Sequence, residues 1–193
     1  MTVAEPRRRP GGRSARVKAA VLDATIDELV ASGYGGLTIA KVATRAGVHR
    51  TAVYRRWPTP GALLAAALLD SSADGEMPDT GTLAGDLLGL AATAPRGQGS
   101  VNDLKRAAAV TRALDAAGDD PEVASARRAL WDRRLAMVEQ AVARAEARGE
   151  IRRGIDPALI LDVLFGAFHT RVVARGERFT AQFATDLLAM ILR

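Results

Sequence analysis

Lys41, Arg45, His49, Arg50, Thr51, Tyr54, Arg55 and Arg56 crowd into one short stretch of the chain. Their side chains carry positive charge or donate hydrogen bonds. Arg50 and Arg55 could bond guanine O6 and N7, or a phosphate; Thr51 could touch a thymine methyl; Tyr54 suits a phosphate. Lys41 and Arg45 could meet a nucleic-acid backbone, and plain solvation explains each of them equally well. The elements that must position these groups are two short helices and a tight turn. Thr38 is a good N-cap, because its hydroxyl can accept from a first-turn amide. Ile39, Val42 and Ala43 share one apolar face. Small Ala43 and Gly47 allow a close helix crossing and a sharp turn. Val53 and Trp57 then point inward at i, i+4, leaving His49, Arg50, Thr51, Tyr54 and Arg55 outward. A short helix with such an outer face, braced by a partner helix, can enter a DNA major groove.

The stretch resembles a known family. Asp23-Ala24, Gly33-Tyr34, Thr38-Ile39, Ala46-Gly47-Val48 and Val53-Tyr54-Arg55-Arg56-Trp57 follow the DNA-binding segment of the TetR family, and Ala62-Leu63-Leu64 continues the pattern into a fourth helix. The resemblance covers about residues 16–70. It implies a ligand-responsive bacterial transcriptional regulator of the TetR/AcrR type. It further implies a ligand pocket among helices four to eight and a two-fold interface on helices eight and nine. Two positions depart from the pattern. His49 stands where Ser or Thr usually opens the recognition helix and is a weaker cap. Pro60 stands where a Lys usually reaches a phosphate, a contact it cannot make.

Charge supports a polyanion-binding head. Residues 1–56 hold 11 Lys/Arg against 4 Asp/Glu, whereas the remainder holds 16 against 18. Such an asymmetry favours nucleic acid over a merely solvated face. Arg outnumbers Lys 24 to 3, which resembles the codon bias of a GC-rich genome and weakens the argument from arginine alone. The absence of cysteine excludes disulfides, thiolate metal sites and Cys nucleophiles, and fits a reducing cytoplasm. No secretory signal and no membrane-spanning run is expected. The two histidines, His49 and His169, fall in different domains, so no metal site is expected. No Ser/His/Asp set, paired-carboxylate motif or phosphate loop argues for an enzyme, and no cofactor is implied.

The whole chain reads as all-α, with about nine helices. Residues 1–14 are basic and punctuated by Pro and Gly and read as a disordered arm, with Arg7 to Arg16 able to reach a minor groove or tether to phosphate. Residues 15–57 form a three-helix helix-turn-helix domain. Residues 58–193 form a larger ligand-binding and dimerisation bundle. The first helix runs from about Ala15 to Ser32, with Leu22, Ile26 and Leu29 as its stripe. Thr59 and Pro60 open the fourth, whose face is Leu63, Leu64, Ala67 and Leu68. A fifth is expected over 82–93, a loop over 94–100 and a sixth over 101–117. Asp120-Pro121 opens a long seventh, over 122–148, with Trp131, Leu135, Val138 and Val142 as its stripe. Asp156-Pro157 opens an eighth to about Ala174, and Thr180 a ninth to the end. Three helices within about 45 residues are small for a core of their own, so the head should pack onto the fourth helix.

Two further sets complete the candidates. Trp131, Leu135 and Val138 could face Phe165, Phe168 and His169 across an apolar cavity with one polar handle. The few aromatic residues argue against a large aromatic cage for flat cations. Gly166, Thr170, Phe183, Leu187, Met190 and Ile191 suit a close two-fold contact. The contact set at the DNA is Thr38, Lys41, Arg45, His49, Arg50, Thr51, Tyr54, Arg55 and Arg56. The expected partners are a double-stranded DNA operator, a small-molecule effector and a second copy of the chain. The expected function is repression relieved by the effector. An activator of the same fold, or an adaptor that has lost DNA binding, are the alternatives.

Overall fold

The computed structural model describes residues 12–71, 76–92 and 101–191, and among them every regular element is helical. The helices are α1 (Gly12–Gly36), α2 (Ile39–Arg45), α3 (Arg50–Tyr54), α4 (Pro60–Ser71), α5 (Leu83–Ala92), α6 (Val101–Ala116), α7 (Pro121–Ala147), α8 (Pro157–Phe168) and α9 (Ala181–Ile191). A π-helical turn, His169–Ala174, follows α8 directly. The arm residues 1–11, the loop expected over 94–100 and the side chain of Ile191 lie outside the described residues.

Helix starts fall where side-chain acceptors stand. Asp120 accepts from the amides of Glu122 and Val123 at 3.0 and 3.1 Å, and Asp156 from that of Ala158 at 2.9 Å. Thr59 accepts from Ala62 at 2.9 Å, and Thr180 from Phe183 at 3.2 Å. Each satisfies an amide that the first helical turn leaves without a partner. Two expectations need correction. Helix α1 begins at Gly12, so residues 12–14 belong to the helix and not to the arm; Arg16 Nε donates to Gly12 O at 3.1 Å across this first turn. As expected, the regular first helix ends at Ser32, with Gly33 (φ 66°) non-helical just beyond it. The backbone enters the left-handed region, which glycine tolerates, and one more turn follows. The eighth helix does not run unchanged to Ala174, because its last turn widens. Arg175 N bonds Thr170 O at 3.0 Å, five residues back, while Arg112 Nη2 reaches over from α6 to Val173 O at 3.1 Å.

The core is built in two clusters. One joins Leu22, Leu29, Ile39, Val42, Val53 and Trp57 of the head to Leu63, Leu64 and Leu68 of α4, Ala113 and Leu114 of α6, and Val123 and Leu130 of α7. The head therefore shares its interior with the bundle, as its small size requires. The second cluster, around Leu83, Leu87, Val138, Val142, Ile160 and Leu188, closes the far end. The buried stripe of α7 is Val123, Ala126, Leu130, Val138, Ala141, Val142 and Ala145, whereas Trp131 and Leu135 are only half-buried. The sequence stripe was thus rotated by about one position over the first half of the helix. Small alanines face inward there because α7 lies close against α4.

Polar contacts pin the same joints. Arg106 of α6 bonds both Asp23 and Asp27 of α1. The Thr59 hydroxyl at the start of α4 donates to Glu122 Oε2 of α7 at 2.9 Å. Gly61 packs so tightly against the Asp120 carboxylate that a Cβ there would collide with it. At the far end Asp86 is fully buried, accepting from Thr80 N and Oγ1 at 2.6 and 2.8 Å and from Arg144 Nη2 at 3.3 Å.

Candidate nucleic-acid interface and internal cavity

The turn between α2 and α3 is closed by main-chain bonds. Val48 N donates to Ala43 O at 3.0 Å and Gly47 N to Thr44 O at 3.2 Å, with Gly47 at φ 66°. Only a residue free of Cβ strain takes this conformation readily, and that fixes the angle at which α3 leaves α2. Thr38 Oγ1 accepts from Lys41 N at 3.3 Å and caps α2. His49 caps α3 through Nδ1, which accepts from Thr51 N at a long 3.4 Å. Val53 and Trp57 are buried beneath α3. Thr38, His49, Arg50, Thr51, Tyr54, Arg55 and Arg56 are all exposed, so the structure brings the expected outward groups onto one end of the head. The Arg50 guanidinium sits 5.1 Å from the Tyr54 ring centroid, so these two side chains present themselves together.

Lys41 and Arg45 are exposed as well but already have a partner. Glu28 of α1, only 5% exposed, accepts from Arg45 Nε and Nη2 at 3.1 and 2.8 Å and from Ser32 Oγ at 2.8 Å. Lys41 Nζ lies 3.6 Å from its other oxygen and donates to Gly36 O at 2.9 Å. The Ser32 hydroxyl and the Arg45 guanidinium hold the Glu28 carboxyl below its ordinary 4.5, against the opposing effect of burial. Sequence reading missed Glu28. The signal was an acid one position before Leu29 on the inward side of α1.

Within the bundle lies a cavity of about 140 Å³. Trp131, Val138, Phe165 and Phe168 line it as expected, and Leu135 and His169 do not. On α7 the wall runs through positions 131, 134 and 138, so Arg134 takes the place expected for Leu135. His169 instead points Nε2 at Asp115 Oδ2, 3.5 Å away, with its side chain 40% exposed. The polar groups of the lining are Arg134 and the Thr111 hydroxyl. Four of the chain's eight aromatic residues, Trp131, Phe165, Phe168 and Phe179, line the cavity. Trp131 meets Phe165 edge-on at 4.4 Å between centroids, and Phe168 and Phe179 continue the contact at 5.7 Å. Phe179 follows α8 in an irregular segment, where no helical period could have announced it.

The third candidate set lies on the outer face of α8 and α9. Gly166 and Thr170 are exposed, Phe183 and Leu187 half-buried, and Met190 is 78% exposed. Leu159, 59% exposed, joins them unforeseen. Residues Pro157–Ala174 form 18 helical residues of mean hydropathy 1.4, little of it buried. Length and composition alone would let this stretch cross a membrane, but it is not an uncharged run of the kind a span requires. Asp162 and Arg171 interrupt it, and its inner side packs on α6 and α7. Among the described residues no group of three or more His, Cys, Asp or Glu could hold a metal ion.

Comparison with known proteins identifies this arrangement. The profile described as bacterial regulatory proteins, tetR family, matches residues 21–67, and that described as tetracyclin repressor-like, C-terminal domain, matches residues 77–191. The HTH-type transcriptional regulator AqdR of Rhodococcus erythropolis is 33% identical over 187 residues, covering 93% of this chain and 86% of the relative. The DNA-binding transcriptional repressor TetR of Mycobacteroides abscessus is 30% identical over 184 residues, covering 91% and 93%. The crystal structure of the transcriptional regulator FadR from Bacillus subtilis in complex with stearoyl-CoA superposes with a TM-score of 0.65 at 16% identity, over 90% of this chain and 97% of that one, a likeness of fold. The chain belongs to the TetR family and is a DNA-binding transcriptional regulator rather than an enzyme.

Proposed function

We propose that the chain is a cytoplasmic repressor that binds a near-palindromic operator as a homodimer and leaves it when a small molecule fills the cavity. One observation carries the reading. Leu68 of α4, Leu114 of α6 and Leu130 of α7 belong both to the cavity wall and to the core on which the head rests. A ligand that displaces these side chains disturbs the seat of the head, and close-packed interiors transmit such shifts. The change in operator affinity is then bounded by the ligand's preference for one seat over the other.

Dimerisation follows from the same logic. One head reads one half-site, and a two-fold pair reads both at a fixed spacing. The exposed apolar face of α8 and α9 supports that pairing. Thr38, Lys41, Arg45, His49, Arg50, Thr51, Tyr54, Arg55 and Arg56 form the DNA-facing set. The test is a mobility-shift titration with the DNA that flanks the gene. A retarded band that resists random competitor DNA and is lost in an Arg50→Ala/Arg55→Ala double variant supports the reading. Binding that random DNA competes away equally sinks it.

A further inference from the structure

Arg134 is set apart from the other arginines toward the C-terminal half of its helix. Arg144 pairs with Asp79 and Asp86, and Arg148 with Asp79 and Glu150. The Arg134 guanidinium meets ring faces instead, 5.4 Å from the Trp131 centroid and 5.9 Å from that of Phe165. No carboxylate among the described residues pairs with it, and none lines the cavity. Aromatic faces attract a cation but do not neutralise it. Arg134 is half-buried, and a cation partly withdrawn from water without a counter-charge is costly and persists where something else supplies the opposite sign.

We infer that Arg134 is the anchor for the carboxylate of an apolar, singly charged organic acid, whose hydrocarbon or aromatic body fills the cavity beside Trp131, Val138, Phe165 and Phe168. The inference rests on the ligand role proposed above and names its chemistry. The planar guanidinium donates two parallel bonds to a carboxylate, and bonds of this kind are strongest away from water. Thr111 supplies a secondary contact. Its hydroxyl hydrogen is committed to Ala107 O at 3.0 Å, which leaves its oxygen able to accept from a polar group on the ligand. Partial burial pushes the Arg134 guanidinium below its ordinary value, as expected of a cation with no acid beside it. It stays charged at any working pH. The cavity of about 140 Å³ is close to the roughly 150 Å³ that accepts one benzene ring. A one-ring acid enters with little rearrangement, whereas a longer acid displaces the leucines shared with the head.

The test uses the full chain and two series of probes. One is 4-phenylbutyrate with its primary amide, and the other is octanoate with octanamide. Binding is followed by calorimetry and by Trp131 emission, with Trp131→Phe as the control that site occupancy is being read. In the wild type at least one acid should bind about tenfold or more tighter than its amide, the scale of a hydrogen bond to a charged group. Arg134→Met should abolish that preference while keeping amide binding, and Arg134→Lys should restore part of it. Operator affinity without probe and the circular-dichroism melt show that the Met variant is folded. Amides that bind as tightly as acids, or a preference that survives in Arg134→Met, overturn the anion claim and leave the cavity as a ligand site. If neither acids nor amides bind, the anchor and the ligand role of the cavity fall together.

Discussion

The head and the far bundle turn opposite kinds of surface outward. The head keeps a carboxylate inside, Glu28, and turns cations outward. The bundle also buries a carboxylate, Asp86, but holds a half-buried cation, Arg134, at its cavity and turns apolar side chains outward, Leu159 and Met190 among them. Each surface matches the partner proposed for it. A phosphate backbone calls for exposed charge, and a second copy of the chain calls for exposed hydrocarbon. The interior charges differ in kind. Glu28 is fully served by its own chain and builds the head, while Arg134 is left for something else to complete.

The largest effect should come from the apolar face. Leu187→Glu puts a charge where a two-fold mate is expected to exclude water, at a cost of several kcal/mol when unpaired. Light scattering should show a monomer, and operator binding should collapse. Leu187 is half-buried in its own subunit, so Met190→Glu serves as the control for folding. Its side chain is in water in the monomer, and loss of assembly there with an unchanged melt locates the interface. Variants that stay dimeric break the comparison on the bundle side.

Next in size is the cationic face. Arg50→Ala or Arg55→Ala should each weaken operator binding by about 1–3 kcal/mol if the side chain makes a bidentate base contact, and affect random DNA less. Fluorescence anisotropy on both DNAs measures the difference. If both variants bind as the wild type does, the outward face of α3 is not the reading surface.

A smaller effect tests the inner carboxylate. Glu28→Gln should cost about 1–2 kcal/mol of stability in a urea titration, because Arg45 and Lys41 lose a charged acceptor while remaining partly in water. The folded Glu28 carboxyl titrates below its ordinary 4.5. Its contribution is therefore complete above that value and disappears as pH falls through the depressed one. Stability of the wild type should drop toward that of Glu28→Gln over this acidic window. A constant gap between the two proteins from pH 6 to pH 3 would show that the charge of Glu28 contributes nothing.

Local signals in the sequence were readable because they depend on near neighbours. The caps at Thr38, Thr59, Asp120, Asp156 and Thr180, and the turn at Gly47, are each set within a few residues. The inward pair Val53 and Trp57 follows from one helical period. What escaped depends on distant partners. The phase of α7 is set by α4 and by the cavity together, so Arg134 took the position expected for Leu135. The π-helical turn forms where Arg112 reaches a carbonyl sixty-one residues away. Lys41 and Arg45 looked purely outward because nothing local reveals that Glu28 is buried between them and Ser32.

The Glu28 cluster also decides how the head should respond to ionic strength. Lys41 and Arg45 share its carboxylate, and Lys18 lies 2.7 Å from Asp70, so these three cations approach DNA already partly compensated. Arg50, Arg55 and Arg56 have no carboxylate partner among the described residues. Each of these that neutralises a phosphate frees condensed counterions and adds about −0.9 to the slope of log affinity against log salt. Three such arginines on each of two heads give a slope of roughly −5 before the arm contributes. Deleting residues 1–11 and repeating the salt titration subtracts the arm. Arg55→Gln should then flatten the slope, and Lys41→Gln should leave it almost unchanged.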